Sequence, residues 1–410
     1  MGMQLVSNKQ YVVLKEGSVT SPKGFKAGGM HCGIKHQRLD LGYILSLTPA
    51  ITAGVYTTNR FQAAPLLVTQ ESIKKEGKTQ AILVNSGIAN ACTGEEGLQN
   101  AYAMRNRFAN ELGIKEHYVA VTSTGVIGVQ LPMDKVEKGI QKILDPVHEN
   151  VQKFEQSILT TDTIKKNIAV QVEIDGQTVT IGGAAKGSGM IHPNMATMLG
   201  FVTTDALIDQ DSLSMALKQI TNQTFNMITV DGDTSTNDMV VVMANGQSNN
   251  KSLTPDHPDW EAFLKGLTYV CETLAKKIAR DGEGATKLIE VKVRNSASIK
   301  DAQQVAKTVI SSNLVKTAIY GADANWGRIV CAVGYSDVDI LPNDLSVFLG
   351  PIKVVENGLP FPFSEEQAKK YLEQENIIIE VDLGMGQQEG TAWGCDLTYD
   401  YVKINASYRT

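Results

Sequence analysis

The stretch IAVQVEIDGQTVTIGG at 168–183 leaves the chain little freedom. Ile168, Val170, Val172 and Ile174 alternate with polar or small residues, Asp175-Gly176 supplies a two-residue turn, and Val179 and Ile181 resume the alternation. The pattern predicts a β-hairpin that delivers the chain directly into a glycine-rich loop at Lys186. Helical period follows. Leu213, Leu217 and Ile220 recur behind Asp211, a fitting N-cap, and Phe263, Leu267, Val270, Leu274 and Ile278 form an amphipathic helix closed by Gly282. Between them, MITVDGDTSTNDMVVVMANG reads as a second strand pair around Asp231-Gly232. The remainder alternates a strand KLIEVKVR, a helix near 300–318, a strand near 351–356, a helix opened by the capping box Ser364 to Gln367, and two final strands. Mostly amphipathic strands mixed with helices predict an α+β fold with antiparallel or mixed sheets. The polar stretch at 249–258, with Pro255 and Pro258, marks the expected boundary between an N-terminal domain, 1–248, and a C-terminal α+β domain, 259–410.

A chain of 410 residues with 42% apolar and 20% charged residues can bury a substantial core. Its net charge of −6, with no local Lys/Arg cluster, argues against nucleic acid. The five cysteines are scattered without metal-ligand spacing and fit a reducing cytoplasm, so no metal is expected. MGMQLVSNKQ has no signal-peptide pattern, and no apolar run approaches the roughly 20 residues of a membrane helix. Small-molecule chemistry is the default that remains.

The loop after the hairpin, KGSGMIHPNMATMLGFVTTDA at 186–206, fails the familiar tests. A phosphate loop needs Lys directly after its last Gly, and Ser188 follows Gly187; His192 occupies the third glycine's place in a dinucleotide pattern. His192 could serve as a base for Thr197, but no accompanying motif supports it, and a structural histidine is the reading kept. Cleavage of Ala196-Thr197 would change the chemistry. A threonine hydroxyl is a poor nucleophile without a base, and a freed α-amine, with a pKa of roughly 7.7–8.0, supplies one from the same residue. On residues alone, a strand-opening threonine remains the alternative.

The same stretch resembles the processing site of the glutamate N-acetyltransferase family, also called ornithine acetyltransferase or ArgJ. AGVYTTNRFQAAP (53–65), VNSGIANACTG (84–94), TSTGVIG (122–128), LTTDT (159–163), VDGDTSTND (230–238), DGEGATK (281–287), GADANWGRI (321–329) and KINASYRT at the end follow in the family's order. One departure is Ile88, where the family usually has Asn. The resemblance implies an αββα sandwich like that of the DmpA-type aminopeptidases, self-cleavage into chains 1–196 and 197–410, and assembly as α2β2. It implies Thr197 as nucleophile, Thr124 and Gly125 as oxyanion hole, and Thr160, Lys186, Thr197, Glu283, Asn405 and Thr410 around the substrate. The implied reaction moves an acetyl group from N2-acetylornithine to glutamate in arginine biosynthesis, without cofactor, with acetyl-CoA open as a second donor. Two rivals are an N-terminal-nucleophile aminopeptidase of related fold and an uncleaved binding protein.

Overall fold

The computed structural model describes residues 7–8, 11–192 and 198–407. Two compact units emerge, one built from residues 1–187, 194–222 and 234–274, the other from 188–193, 223–233 and 275–410. The polar stretch at 249–258 falls inside the first, so the division does not follow it. Packing explains why. The helix Trp260–Arg280 brings Val270 and Leu274 to within 2.9 and 2.8 Å of where a Cβ on Gly183 would stand, and Val172 lies equally close above Gly266. Glycine at these two points lets the helix lie directly on the hairpin strands.

Among the described residues the first unit holds a ten-stranded sheet. Across it run Ser7–Asn8, Tyr11–Leu14, Lys166–Ile174, Gln177–Lys186, Leu199–Thr204, Met239–Ala244, Leu41–Tyr56, Lys78–Ile88 and Val119–Val126, with Phe25–Met30 paired along the first part of Leu41–Tyr56. The predicted hairpin is present, with Ile174 opposite Gln177 and positive φ at both Asp175 (52°) and Gly176 (70°), the geometry that matches strand twist. Both faces of the sheet are buried. Ala81, Leu83, Val119 and Val121 pack with Val68, Met104, Phe108 and Ile140, which come from the helices Ala64–Glu76, Gly94–Leu112 and Met133–Lys142. Ile82, Val84 and Ala120 point the other way and join Phe154, Phe201, Met239 and Val241. Burial on both sides turns MVVVMA into a continuous apolar run and accommodates parallel pairing of Leu199–Thr204 with Met239–Ala244 and of Lys78–Ile88 with Val119–Val126. The expected alternation is absent there, while the mixed α+β architecture holds.

The second unit has its own mixed sheet, ordered Ile228–Thr229, Gln388–Cys395, Leu288–Ser296, Asn376–Asp382, Ser346–Leu349, Ile352–Glu356 and Leu359–Pro360. The strand pair expected around Asp231-Gly232 is therefore not a pair, since Ile228–Thr229 and Met239–Ala244 belong to different sheets. The helix expected near 300–318 is two, Ile299–Ser311 and Asn313–Tyr320. Ser312 adopts extended backbone between them and caps the second by accepting the Val315 N–H. Ser364 caps Glu365–Leu372 through the Gln367 N–H as the capping box predicts. In the first unit it is Asp209, not Asp211, that accepts the Ser212 N–H at the head of Gln210–Gln223. No helix among the described residues is long and apolar enough to cross a membrane.

Candidate active site

Three of the expected site residues, Ala196, Thr197 and Thr410, lie outside the described residues. The others fall into groups within each unit.

In the first unit, Thr124 and Gly125 stand near the end of Val119–Val126, opposite Ser86 and Gly87 of the parallel neighbour. Gly125 has φ of 135°, and a Cβ there would run into the Gly87 carbonyl. Only glycine allows this approach of two main chains. The adjoining loop is held from beneath. Asn85 Nδ2 donates to the Ile88 carbonyl, Ser123 Oγ donates to Asn85 Oδ1, and Asn237 Nδ2 donates to the carbonyls of Ala89 (2.6 Å) and Ser123 (2.8 Å). These bonds use the main chain at 88, and the Ile88 side chain packs against the apolar cluster around Leu83 and Phe108. The departure from the family's Asn thus costs the loop no main-chain support.

Thr160 and Lys186, on different segments of the same unit, meet at one carboxylate. Asp162 Oδ2 accepts the Thr160 N–H at 3.0 Å, and its Oδ1 accepts the Gly187 N–H and the Lys166 ammonium, both at 2.7 Å. The side chains of Asp162 and Lys166 are fully buried. Burial works to raise the Asp162 pKa, but the Lys186 and Lys166 ammoniums and the Gly187 N–H outweigh it and hold the carboxyl well below its ordinary range. Lys186 closes the strand Gln177–Lys186 and is 8% exposed, and its ammonium has no hydrogen-bond or ion-pair partner among the described residues. Lys35 donates to the Leu159 carbonyl at 2.5 Å; burial, with Arg38, pushes its pKa down to about 8.

In the second unit Asn405 Nδ2 donates to Glu283 Oε2 at 2.7 Å, and the Glu283 N–H donates to the Ser188 carbonyl. Gly189 is glycine for a local reason, because a Cβ there would strike the Glu283 carboxylate. The chain then turns through Met190, a non-glycine residue with φ of 56°. Asp231 fixes that turn by accepting the N–H groups of Met190 (2.6 Å) and Ile191 (2.9 Å) on its two oxygens. His192 comes next. Thr229 Oγ1 donates to the Ile191 carbonyl, so the His192 Nδ1–H donates to Thr229 Oγ1 at 3.0 Å. Burial, with the Lys307 charge adding to it, lowers the His192 pKa to about 4. It is a neutral, hydrogen-bonded ring, in keeping with the structural reading.

Beneath this segment lie two ammoniums, that of Lys316 buried and that of Lys307 partly so. Lys307 donates to the carbonyls of Asn226 (2.5 Å) and Ile228 (2.8 Å), and Lys316 to that of Val230 (2.5 Å). Sequence reasoning gave no role at the site to Asp162, Asp231, Lys307 or Lys316. The two aspartates sat inside quoted motifs, LTTDT and VDGDTSTND, whereas the lysines lie on helices where a lysine ordinarily signals solvent.

One further cluster, Asp175, His257 and Asp259, has metal-like composition. His257 Nδ1 accepts the Asp259 N–H, which places the ring proton on Nε2, where it is donated to Asp175. With both ring nitrogens engaged, the group acts as a clamp between the hairpin turn and the residues that precede Trp260–Arg280.

Comparison with known proteins follows the same lines. The ArgJ family model matches residues 26–410. The arginine biosynthesis bifunctional protein ArgJ of Geobacillus kaustophilus (strain HTA426) is 58% identical over 402 residues, 98% of each chain. That of Bacillus subtilis (strain 168) is 56% identical over 403 residues, 98% of this chain and 99% of its own. A crystal structure of the arginine biosynthesis bifunctional protein argJ from Bacillus halodurans is 60% identical with a TM-score of 0.51, covering 52% of this chain and 100% of the solved one. A match of this extent and identity makes the chain a member of the ArgJ family of arginine-biosynthesis enzymes.

Proposed function

We propose that this enzyme cleaves itself between Ala196 and Thr197 and then transfers an acetyl group from N2-acetylornithine to glutamate through an acetyl ester on Thr197. In the cleavage, the Thr197 hydroxyl attacks the Ala196 carbonyl, the C–N bond gives way to an ester, and water releases the first chain, leaving a free α-amine. That amine then takes the hydroxyl proton as Oγ attacks the acetyl carbonyl of N2-acetylornithine. The amide breaks, ornithine leaves with a proton on its nitrogen, and the glutamate amine removes the acetyl group. Thr124 and Gly125 supply the donors for the oxyanion formed at each attack. Ornithine and glutamate carry opposite side-chain charges, so the site reads what they share. Lys186 meets the α-carboxylate, Glu283 with Asn405 meets the α-nitrogen, and Thr160 and Thr410 complete the surround.

The observation that carries this reading is one of length. Full-length relatives align over nearly the whole chain, yet the solved argJ chain aligns completely with only 52% of it. The 214 residues beginning at Thr197 are that same share of 410. The Lys186 ammonium, without a hydrogen-bond acceptor among the described residues, and the Gly125 approach support the site assignments. No metal or cofactor enters the scheme, and the cleaved chains assemble as α2β2 in the cytoplasm. In this reading, the second activity behind the relatives' bifunctional name is acetylation of glutamate by acetyl-CoA.

Mass spectrometry of purified protein is expected to show pieces of 196 and 214 residues, with Thr197→Ala leaving one chain that transfers no acetyl group. An intact chain that transfers acetyl at full rate would overturn the proposal. Acetyl release to water in place of glutamate would favour the aminopeptidase-like alternative.

A further inference from the structure

The first unit gathers three ammoniums, those of Lys35, Lys166 and Lys186, about Asp162. Lys166 is committed to the carboxylate, and Lys35 to the main-chain carbonyls of Leu39 and Leu159. Lys186 has no hydrogen-bond acceptor among the described residues, and its charge acts on Asp162. A fully buried carboxylate–ammonium pair such as Asp162–Lys166 is weak evidence for stability, because apolar residues of similar volume often do as well or better in its place. Its use must be sought in what the carboxylate holds. Asp162 spends its remaining acceptor capacity on two N–H groups, those of Thr160 and of Gly187, the residue after Lys186. One segment follows the helix Val151–Ser157 and the other ends a strand, and the carboxylate bonds directly to both.

We infer that Asp162, neutralised by Lys166, is the positioning residue that sets Thr160 and Lys186 at a fixed separation so that together they take the substrate carboxylate. The inference rests on the acetyl-transfer reading above. Asp162 touches no substrate itself. Asparagine has nearly the same shape, but one of its two acceptors becomes an NH2 group that faces an N–H donor, so either Thr160 or Gly187 loses its anchor. It also removes the carboxylate charge that the Lys166 ammonium faces at 2.7 Å. These two effects separate experimentally. In Asp162→Asn both operate; in the double variant Asp162→Asn/Lys166→Met the ammonium is removed with the carboxylate charge and the missing anchor remains.

The test measures self-cleavage, thermal stability and the kcat and KM of acetyl transfer for both variants beside the unaltered enzyme. Loss of ground-state binding raises KM with little change in kcat. The KM for N2-acetylornithine and for glutamate is expected to rise roughly 10- to 100-fold in Asp162→Asn, the scale of one hydrogen bond to a charged group. The double variant is expected to regain stability while keeping the raised KM. A double variant whose KM returns to the unaltered value along with its stability would show that Asp162 only balances charge, and the assignment would fall. Should Asp162→Asn fail to fold, the double variant alone decides. Inactivity of the unaltered enzyme would count against acetyl transfer and not against Asp162, which is then judged by calorimetric binding of N2-acetylornithine to the same proteins.

Discussion

Replacing Lys307 by methionine isolates the energetic consequence of a largely desolvated ammonium. Burial lowers the Lys307 pKa from its ordinary 10.5 to about 7. Below pH 7 the amine is charged in both the folded and unfolded chains, and the cost of burying it is constant. Above pH 7 the folded protein releases the proton while the unfolded chain keeps it until near 10.5. The unfolded state then binds more protons, so stability rises with pH at up to about 1.4 kcal/mol per unit. Integrated from about pH 7 to about pH 9.5, the gain from this one group is about 3 kcal/mol. Methionine fills similar space and does not titrate. It also gives up the hydrogen bonds to Asn226 and Ile228, an offset that is the same at every pH in the window. Urea unfolding of both proteins across that range, followed by the fluorescence of Trp326 and Trp393 in the second unit, is expected to give a stability difference that grows with pH by this amount in favour of the lysine. Parallel curves would refute the argument, since they would mean that the folded state holds the Lys307 proton as firmly as water does.

Two shorter predictions concern the site. Gly125→Ala forces a Cβ toward the Gly87 carbonyl and disfavours a φ of 135°; steady-state kinetics should show kcat/KM for acetyl transfer reduced about 100- to 1000-fold, the cost of losing the oxyanion donor proposed at this position. Asp231→Asn removes one of the two acceptors that fix Met190 and Ile191, and the fraction of uncleaved chain on a denaturing gel should decay about tenfold more slowly, equivalent to one hydrogen bond to a charged group.

Local chemistry made some of the fold legible in advance. Asp175-Gly176 and the Ser364 capping box act over a few residues, and both stand where the residues place them. Long-range partnership was not legible. Nothing in MITVDGDTSTNDMVVVMANG says that its two apolar runs join different sheets, because each run is equally suited to either. The polar stretch at 249–258 looked like a linker, but the glycines at 183 and 266 that seat the following helix on the hairpin signal their purpose only once the surfaces meet. Motif order pointed to Gly125 and Lys186 as site candidates, whereas Asp162 takes its meaning from a burial and a pairing with Lys166 that a loop position conceals, and Lys316 from a burial that a helical position conceals.

The tethers of the second unit imply an order of events during synthesis. Met190 and Ile191 are pinned by an aspartate about forty residues downstream, and the segment bearing that aspartate is pinned in turn by Lys307 and Lys316, some eighty residues further on. A nascent chain still lacking those lysines has made the bond at Ala196-Thr197 without the framework around the residues leading to it. In the proposed self-cleavage, scission at that bond accordingly waits until Lys307 and Lys316 have left the ribosome, and truncations that end before Lys307 should accumulate as single uncut fragments.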